Sequence, residues 1–363
     1  MGKVINMTNE LLPDGRRDRI VAELRARGML RVSDLAELLG VAPVTLRRDI
    51  ARLAAEGVVR RLHGGAVLNE PVKEVSVQME APVRVGMLVP SLDFYWPEVI
   101  RGAQDMAEER GAVLMLRGTS YEDADFRAHA THLIAAGVDA LLMAPDVTTR
   151  ATMELLEWLQ ETEVPFVLVE RDARGTSTAL PFESVTTDHL GGAGAAVRHL
   201  AADGHTRVGF VWNPGSPHRE EIRRGWALAV QECGLRPDAF TRELRRHEPG
   251  DEAPAVAELV RDCIDAGTTA LLVHADREAI AIAQQCQEEG LSVPGDLSII
   301  AYDDEVAGLF SPALTAVRPP RISIGRAAMG LVMDRLRDAG RPTHRVVITP
   351  RLNVRESTGP TGS

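Results

Sequence analysis

Lysine is almost missing from this chain: it occurs only at Lys3 and Lys73, so every other basic side chain is arginine. Cysteine is scarce as well. Cys233, Cys263 and Cys286 lie far apart and form no CxxC pair, which argues against a disulfide framework or a cysteine zinc site and fits free thiols in a reducing compartment. No apolar run approaches the roughly 20 residues that span a bilayer. The amino-terminal stretch MGKVINMTNELLPDG lacks an apolar h-region, so the chain is expected to be cytoplasmic, with no membrane partner. No Ser/His/Asp or metal-ligand set occurs at a recognisable spacing, so no catalytic residue, cofactor or metal is expected. The adjacent carboxylates Asp303-Asp304 do not suit glycoside hydrolysis, because sequence neighbours rarely face one reacting bond. The glycines Gly191, Gly192 and Gly194 fall inside a helical pattern rather than after a strand, which weakens a nucleotide-binding reading.

What is present is unevenly distributed. The length of 363 residues suggests two or three domains, and 45% hydrophobic residues can fill sizeable cores. The net charge is −11, yet residues 16–63 carry eleven arginines against six acids. A basic module on an acidic body suits a protein that grips DNA at one end only.

Three helical patterns follow closely in that module. The first runs from Arg16 to Arg27 with Ile20 and Leu24 inward, and Gly28 ends it. Ser33 reads as the cap of a second helix, Asp34 to Leu39, with Leu35, Leu38 and Leu39 inward. A third helix is expected from Pro43 to Glu56, ended by Gly57. Leu46, Ile50 and Leu53 must face its core, which leaves Thr45, Arg47, Arg48 and Arg52 for a DNA groove and its phosphates. Val58–Arg61 then reads as a strand, His63-Gly64-Gly65 as a turn and Ala66–Leu68 as the return, a wing with arginines at its base.

On Arg19-Ile20, Val32-Ser33-Asp34-Leu35-Ala36, Thr45-Leu46-Arg47-Arg48-Asp49-Ile50 and Arg61-Leu62-His63-Gly64-Gly65-Ala66, this segment resembles the DeoR family of winged-helix regulators. The resemblance implies DNA contacts from Thr45, Arg47 and Arg48, with Arg52, Arg61, His63 and Gly64 beside them. Ala42 departs from it, standing where the family usually has a capping serine; Pro43, with its preset φ, offsets part of that loss.

The organisation expected is a flexible extension over 1–15, the winged helix–turn–helix over 16–68, a linker over 69–82, a large domain over 83–356 and a tail over 357–363. In the large domain, apolar strands alternate with amphipathic helices: Val85–Val89, Val113–Leu116, Ala140–Met143, Phe166–Val169, Val185–Thr187, Val208–Val211, Ala270–Val273 and Leu297–Ala301 are the strand candidates. Such alternation argues for an α/β fold with parallel sheets covered by helices on both faces, and its length argues for two lobes. Ligands in such folds bind at the carboxyl ends of strands. There Phe94, Tyr95 and Trp96 offer stacking faces, Arg171 a paired donor, and Asp276 and Asp303 acceptors for hydroxyls.

The stretches Val85–Pro90, Gly137–Leu141, Val164–Arg171, Thr186-Thr187-Asp188, His199–His205, Val293–Asp304 and Leu314–Pro319 resemble the sensor domain of LacI-family regulators, which is itself similar to periplasmic sugar-binding proteins. The resemblance assigns effector binding and dimerisation to the large domain over 83–356, and implies a periplasmic-binding-protein-like fold whose chain crosses between lobes near 187, 318 and 348. It also implies an effector cleft lined by Asp93, Phe94, Trp96, Arg171, Asp188, Asp276 and Asp303, with Arg219 and Arg223 competing for one arginine position. Ala275, preceded by His274, departs from the asparagine often found before the aspartate matching Asp276.

Together these point to a homodimeric transcription regulator, of repressor type, that binds a double-stranded DNA operator and answers to a small effector, a sugar or sugar derivative. The competing reading is a cytoplasmic carbohydrate-binding or carbohydrate-processing protein with an incidental amino-terminal module. Sugar binding without turnover separates the two.

Overall fold

The computed structural model describes residues 13–27, 30–62, 65–68, 81–119, 125–172, 182–244 and 252–361. The chain divides into two compact units, Met1–Ala81 and Pro82–Ser363. In the first, α1 (Pro13–Arg27), β1 (Leu30–Arg31), α2 (Val32–Leu39), α3 (Pro43–Ala55), β2 (Val59–Leu62) and β3 (Gly65–Leu68) pack around Ile20, Leu24, Leu35, Ala36, Leu39, Leu46, Ile50 and Leu53. The three strands pair in the order β1-β3-β2. Gly65 is required where β1 meets β3, because a Cβ there would lie 2.6 Å from the Leu30 carbonyl oxygen.

Two local expectations change. The second helix begins at Val32, so Ser33 lies inside it and donates to the Asp34 carboxylate at 2.9 Å instead of capping. That phase buries Leu35, Ala36 and Leu39 and leaves Leu38 exposed. Pro13–Gly15, expected in a flexible extension, are part of α1. Gly28, His63, Gly64 and residues 69–80 of the expected linker lie outside the described residues.

The second unit holds two α/β lobes. Lobe one is built from β4 (Val83–Val89), α4 (Trp96–Glu109), β5 (Ala112–Gly118), α5 (Phe126–Ala135), β6 (Ala140–Met143), α6 (Arg150–Glu161), β7 (Phe166–Val169) and β8 (Glu183–Thr187). Lobe two follows with α7 (His189–Ala202), β9 (Val208–Trp212), α8 (Arg219–Glu232), β10 (Thr241–Glu243), α9 (Glu252–Asp265), β11 (Ala270–His274), α10 (Asp276–Glu288), β12 (Ser298–Tyr302) and β13 (Thr315–Arg318). The chain returns to lobe one for α11 (Arg321–Arg337) and β14 (Arg345–Ile348), then ends in lobe two with β15 (Arg351–Asn353). The sheet orders are β14-β8-β7-β6-β4-β5 and β10-β9-β11-β12-β13-β15, parallel throughout except β13 against β15. The lobe crossings therefore follow Thr187, Arg318 and Ile348.

The central strands of each sheet are buried on both faces, which is why they read as continuous Val/Leu/Ile runs. The residues expected to form a tail from 357 instead close lobe two. Ser357 is fully buried; its hydroxyl donates to the Ile299 carbonyl at 2.5 Å and accepts from the Thr315 N–H at 2.8 Å. Among the described residues no helix is long and apolar enough to cross a membrane.

In lobe one, α4 and α11 cross backbone to backbone. A Cβ on Gly325 would lie 1.9 Å from the Val99 carbonyl oxygen, and one on Gly102 would lie 2.0 Å from that of Ile322. Gly325→Ala is therefore expected to force the helices apart and cost about 2–3 kcal/mol. Gly330→Ala in the same helix meets no atom within 4 Å and should gain about 0.5–1 kcal/mol from helix propensity. Urea unfolding of the two variants checks this; equal midpoints would show that the crossing is not this close.

Candidate DNA interface and effector cleft

On α3, Leu46, Ile50 and Leu53 are buried, so Arg47, Arg48 and Arg52 are exposed and Thr45 is half-buried. The nearby acids are already neutralised from α1. Arg16 pairs with Asp49 at 2.7 Å and Arg17 with Glu56. Among the described residues Arg47, Arg48 and Arg52 have no acidic partner, and Arg61 on β2 is likewise exposed and unpaired. The result is a helix and wing edge with several uncompensated guanidinium groups, the charge pattern of a phosphate-facing surface.

Between the lobes lies a cavity of about 360 Å³. Tyr95, Trp96 and Arg171 line it from lobe one; Asn213, Ser216, His218, His274, Glu278 and Asp303 line it from lobe two. All stand at or just beyond carboxyl ends of parallel strands, where such folds place ligands. Of the residues singled out in the sequence, the structure brings Tyr95, Trp96, Arg171 and Asp303 together here. Arg171 is less available than a free paired donor: its Nε donates to the Pro145 carbonyl at 2.9 Å and one Nη to that of Glu170 at 2.6 Å.

The remaining candidates do other work. Asp93 is exposed and outside the cavity wall. Phe94 is also outside the wall and stacks across the lobe boundary on the Arg277 guanidinium, 4.1 Å from the ring centre. Asp188 caps α7, accepting from the Gly191 N–H at 2.8 Å. Neither contending arginine lines the cavity: Arg219 donates to the Ser216 carbonyl at 3.0 Å, and Arg223 is exposed and held by Glu220 at 2.6 Å. Asp276 is consumed by four backbone N–H groups, those of Asp304, Glu305, Val306 and Ala307, at 2.7–3.1 Å. It fastens the loop that carries Asp303 rather than facing a ligand.

Asp303 itself accepts no hydrogen bond on its carboxylate from any described residue, and its nearest cationic candidate is His274 Nε2 at 3.8 Å. Burial, then the charge of Asp276, pushes its carboxyl up to about 7. Burial pushes His274 down to about 4, so it faces Asp303 as a neutral imidazole. Burial, with His189 and Arg171 nearby, also holds His218 well below the ordinary histidine range. The cavity thus combines an aromatic wall, a buried guanidinium, neutral imidazoles and one under-solvated carboxyl group. That set matches a small polar ligand with donors to offer.

Asn213, Ser216 and His218 also line the cavity and are not among the residues singled out in the sequence. A usable signal was there, since Trp212-Asn213-Pro214-Gly215-Ser216 follows β9 directly. Nor is the layer behind the wall: Glu170, His189 and Tyr302, all buried, come from three segments with no sequence spacing in common.

Comparison with known proteins bears on both units. A family profile for a DeoR-like helix-turn-helix domain matches residues 16–72, and one for a periplasmic binding protein-like domain matches residues 197–358. The transcriptional regulator MalR of Streptomyces coelicolor is 28% identical over 345 residues, 90% of this chain and 96% of its own length. The transcriptional regulator DegA of Bacillus subtilis is 25% identical over 351 residues, 91% of this chain and 98% of its own. The chain is a DNA-binding transcriptional regulator with a DeoR-like helix-turn-helix domain and a periplasmic binding protein-like domain. A LacI-family regulator from Mycobacterium smegmatis shares the regulator's fold with TM-score 0.60 and 27% identity, covering 76% of this chain and 99% of its own. One from Enterococcus faecium, solved with bound ribose, has TM-score 0.62 at 22% identity, again over 76% of the regulator and 99% of its own chain. These relatives are regulators rather than enzymes.

Proposed function

We propose that this regulator is a homodimeric repressor released from or held on its operator by a sugar-class ligand in the inter-lobe cavity. The unpaired arginines of α3 carry the reading: a helix that presents Arg47, Arg48 and Arg52 while its neighbouring acids are neutralised is built for DNA. Thr45 and Arg61 complete the interface in the groove and on the wing. Two such helices in successive major grooves read a near-palindrome. An apolar groove on the edge of lobe one supports the dimer, with Val113 and Leu116 exposed on the edge strand β5 beside Ile100 and Leu114.

For the ligand, Trp96 supplies a stacking face, Asp303 an acceptor and Arg171 a donor. The ribose in the Enterococcus faecium neighbour is a ligand of this size and chemistry. Its control of DNA binding is differential affinity for two lobe arrangements; a full switch from 1:99 to 99:1 needs about 5.5 kcal/mol.

Two measurements test this. In a thermal-shift screen of sugars and sugar phosphates, one ligand at 100 times its Kd should add about 2.7 kcal/mol to stability, without turnover. Turnover would favour the enzyme reading, and no shift with any member would remove the sugar assignment. On a DNA duplex selected from a random library, four arginine–phosphate contacts per dimer, from Arg52 and Arg61 of each chain, should give a slope of log affinity on log salt of roughly −4. A flat salt profile would contradict the interface.

A further inference from the structure

We infer that Glu170, His189 and His218 form a site for a divalent transition metal of the zinc class, bridging the two lobes behind the ligand cavity. Two imidazoles and one carboxylate are the donor set of zinc sites that keep a fourth position open. Their candidate donor atoms all lie within 4.8 Å of one another. His189 Nε2 stands 3.6 Å from Glu170 Oε2. Two donors on a tetrahedral ion with bonds of about 2.1 Å are separated by about 3.4 Å, whereas 3.6 Å is too long for a hydrogen bond.

Two hydrogen-bond arrangements are open to His189, and one of them leaves Nε2 bare. The Tyr302 hydroxyl lies 3.1 Å from Nδ1 and 3.4 Å from the His189 carbonyl; when it donates to the carbonyl it accepts the Nδ1–H. Nε2 then carries a lone pair, is buried, and has no hydrogen-bond partner. In that tautomer the Nε2 lone pair faces a Glu170 carboxylate oxygen 3.6 Å away, and a cation between the two satisfies both.

The outer shell is in place. The Tyr95 hydroxyl and the Thr187 hydroxyl donate to Oε1 of Glu170, the latter at 2.7 Å, and the Thr187 N–H donates to Oε2 at 2.9 Å. One lone pair of Oε2 remains for a metal, and Tyr302 orients His189, the kind of support that metal ligands receive. His218 stacks on His189 with ring centres 4.0 Å apart and planes 27° from parallel. Half-buried at the start of α8, it is the ligand that must turn, giving up a 3.5 Å contact with Arg171. Because His218 also lines the cavity, the fourth position opens toward it.

Glu170 directly follows β7 in lobe one, while His189 and His218 belong to lobe two. A bound ion therefore ties the lobes together. Its influence on DNA rests on the function proposed above, but the site itself does not.

Titration of the untagged, metal-stripped full chain with Co2+ tests the site without DNA or sugar. The expected result is one equivalent bound per chain, visible d–d absorption, and displacement by Zn2+. His218→Ala should bind at least about tenfold more weakly, and Tyr302→Phe about 10–100-fold more weakly. Melting curves of metal-free His218→Ala should match the parent, showing that the loss is not unfolding. Absence of saturable binding, or unchanged affinity in His218→Ala, would overturn the site and leave the regulator reading untouched.

Discussion

With Arg47 and Arg48 both changed to alanine, operator affinity is expected to fall by roughly 30- to 20,000-fold for each half-site, while the thermal shift produced by the effector stays the same. The range follows from about 1–3 kcal/mol for each arginine that reads a base edge. The fold should tolerate the change. Both side chains are exposed and unpaired among the described residues, alanine favours the helix, and the core contacts of α3 are made by Leu46, Ile50 and Leu53. Fluorescence anisotropy at fixed ionic strength measures the effect. Parent-like affinity would remove α3 as the reading helix. Arg16→Ala is the informative companion: it frees Asp49, now held at 2.7 Å, and so should weaken DNA binding through repulsion despite lying on another helix.

Asp303→Asn should weaken the effector by about 10–150-fold, the value of a hydrogen bond to a charged group at about 1.5–3 kcal/mol. The same substitution should stabilise the ligand-free sensor at pH 8. The sign comes from linkage. Burial and Asp276 raise the Asp303 carboxyl from 3.8 to about 7 in the folded chain. Its favourable contribution is thus complete below pH 4 and is lost as pH rises through about 7. Asparagine, which does not ionise, avoids that loss, so the two chains should melt alike near pH 4 and diverge in favour of the variant by pH 8. Glu305, raised to about 7 by burial and by Asp303, adds a slope of the same sign and should itself titrate lower in the variant. Scanning calorimetry with and without ligand resolves both effects. A variant that binds effector normally would take Asp303 out of the site. One that is less stable at pH 8 would show that its carboxylate is better solvated than the cavity suggests.

Much of the fold was legible because both of its patterns are local. Helical periodicity placed Leu46, Ile50 and Leu53 inward and the arginines outward, and buried parallel strands announce themselves as apolar runs. The strands at Thr241–Glu243, Arg345–Ile348 and Arg351–Asn353 were not among the candidates, since short edge strands with exposed residues carry no such run. The cap reading of Ser33 failed because the start of α2 is set by packing of Val32 and Leu35, not by side-chain capping.

The site was less legible. Asp276 and Asp303 look equivalent in sequence, each an acid at the end of a strand. Only the path of the 303–307 loop decides that one binds four backbone N–H groups and the other faces the cavity. Arg219 and Arg223 were rivals in register, and the structure commits both to local partners.

From its residues alone, then, the chain determined an arginine-bearing reader helix, a two-lobed parallel α/β body and the division of charge between them, because periodicity and composition act over a few turns of chain. Tertiary structure alone decided which polar groups among the described residues are left without partners, Asp303 in the cavity and His189 Nε2 behind it among them. Hydrogen-bond satisfaction depends on groups more than a hundred residues apart, as between His189 and Tyr302, and no sequence spacing encodes it.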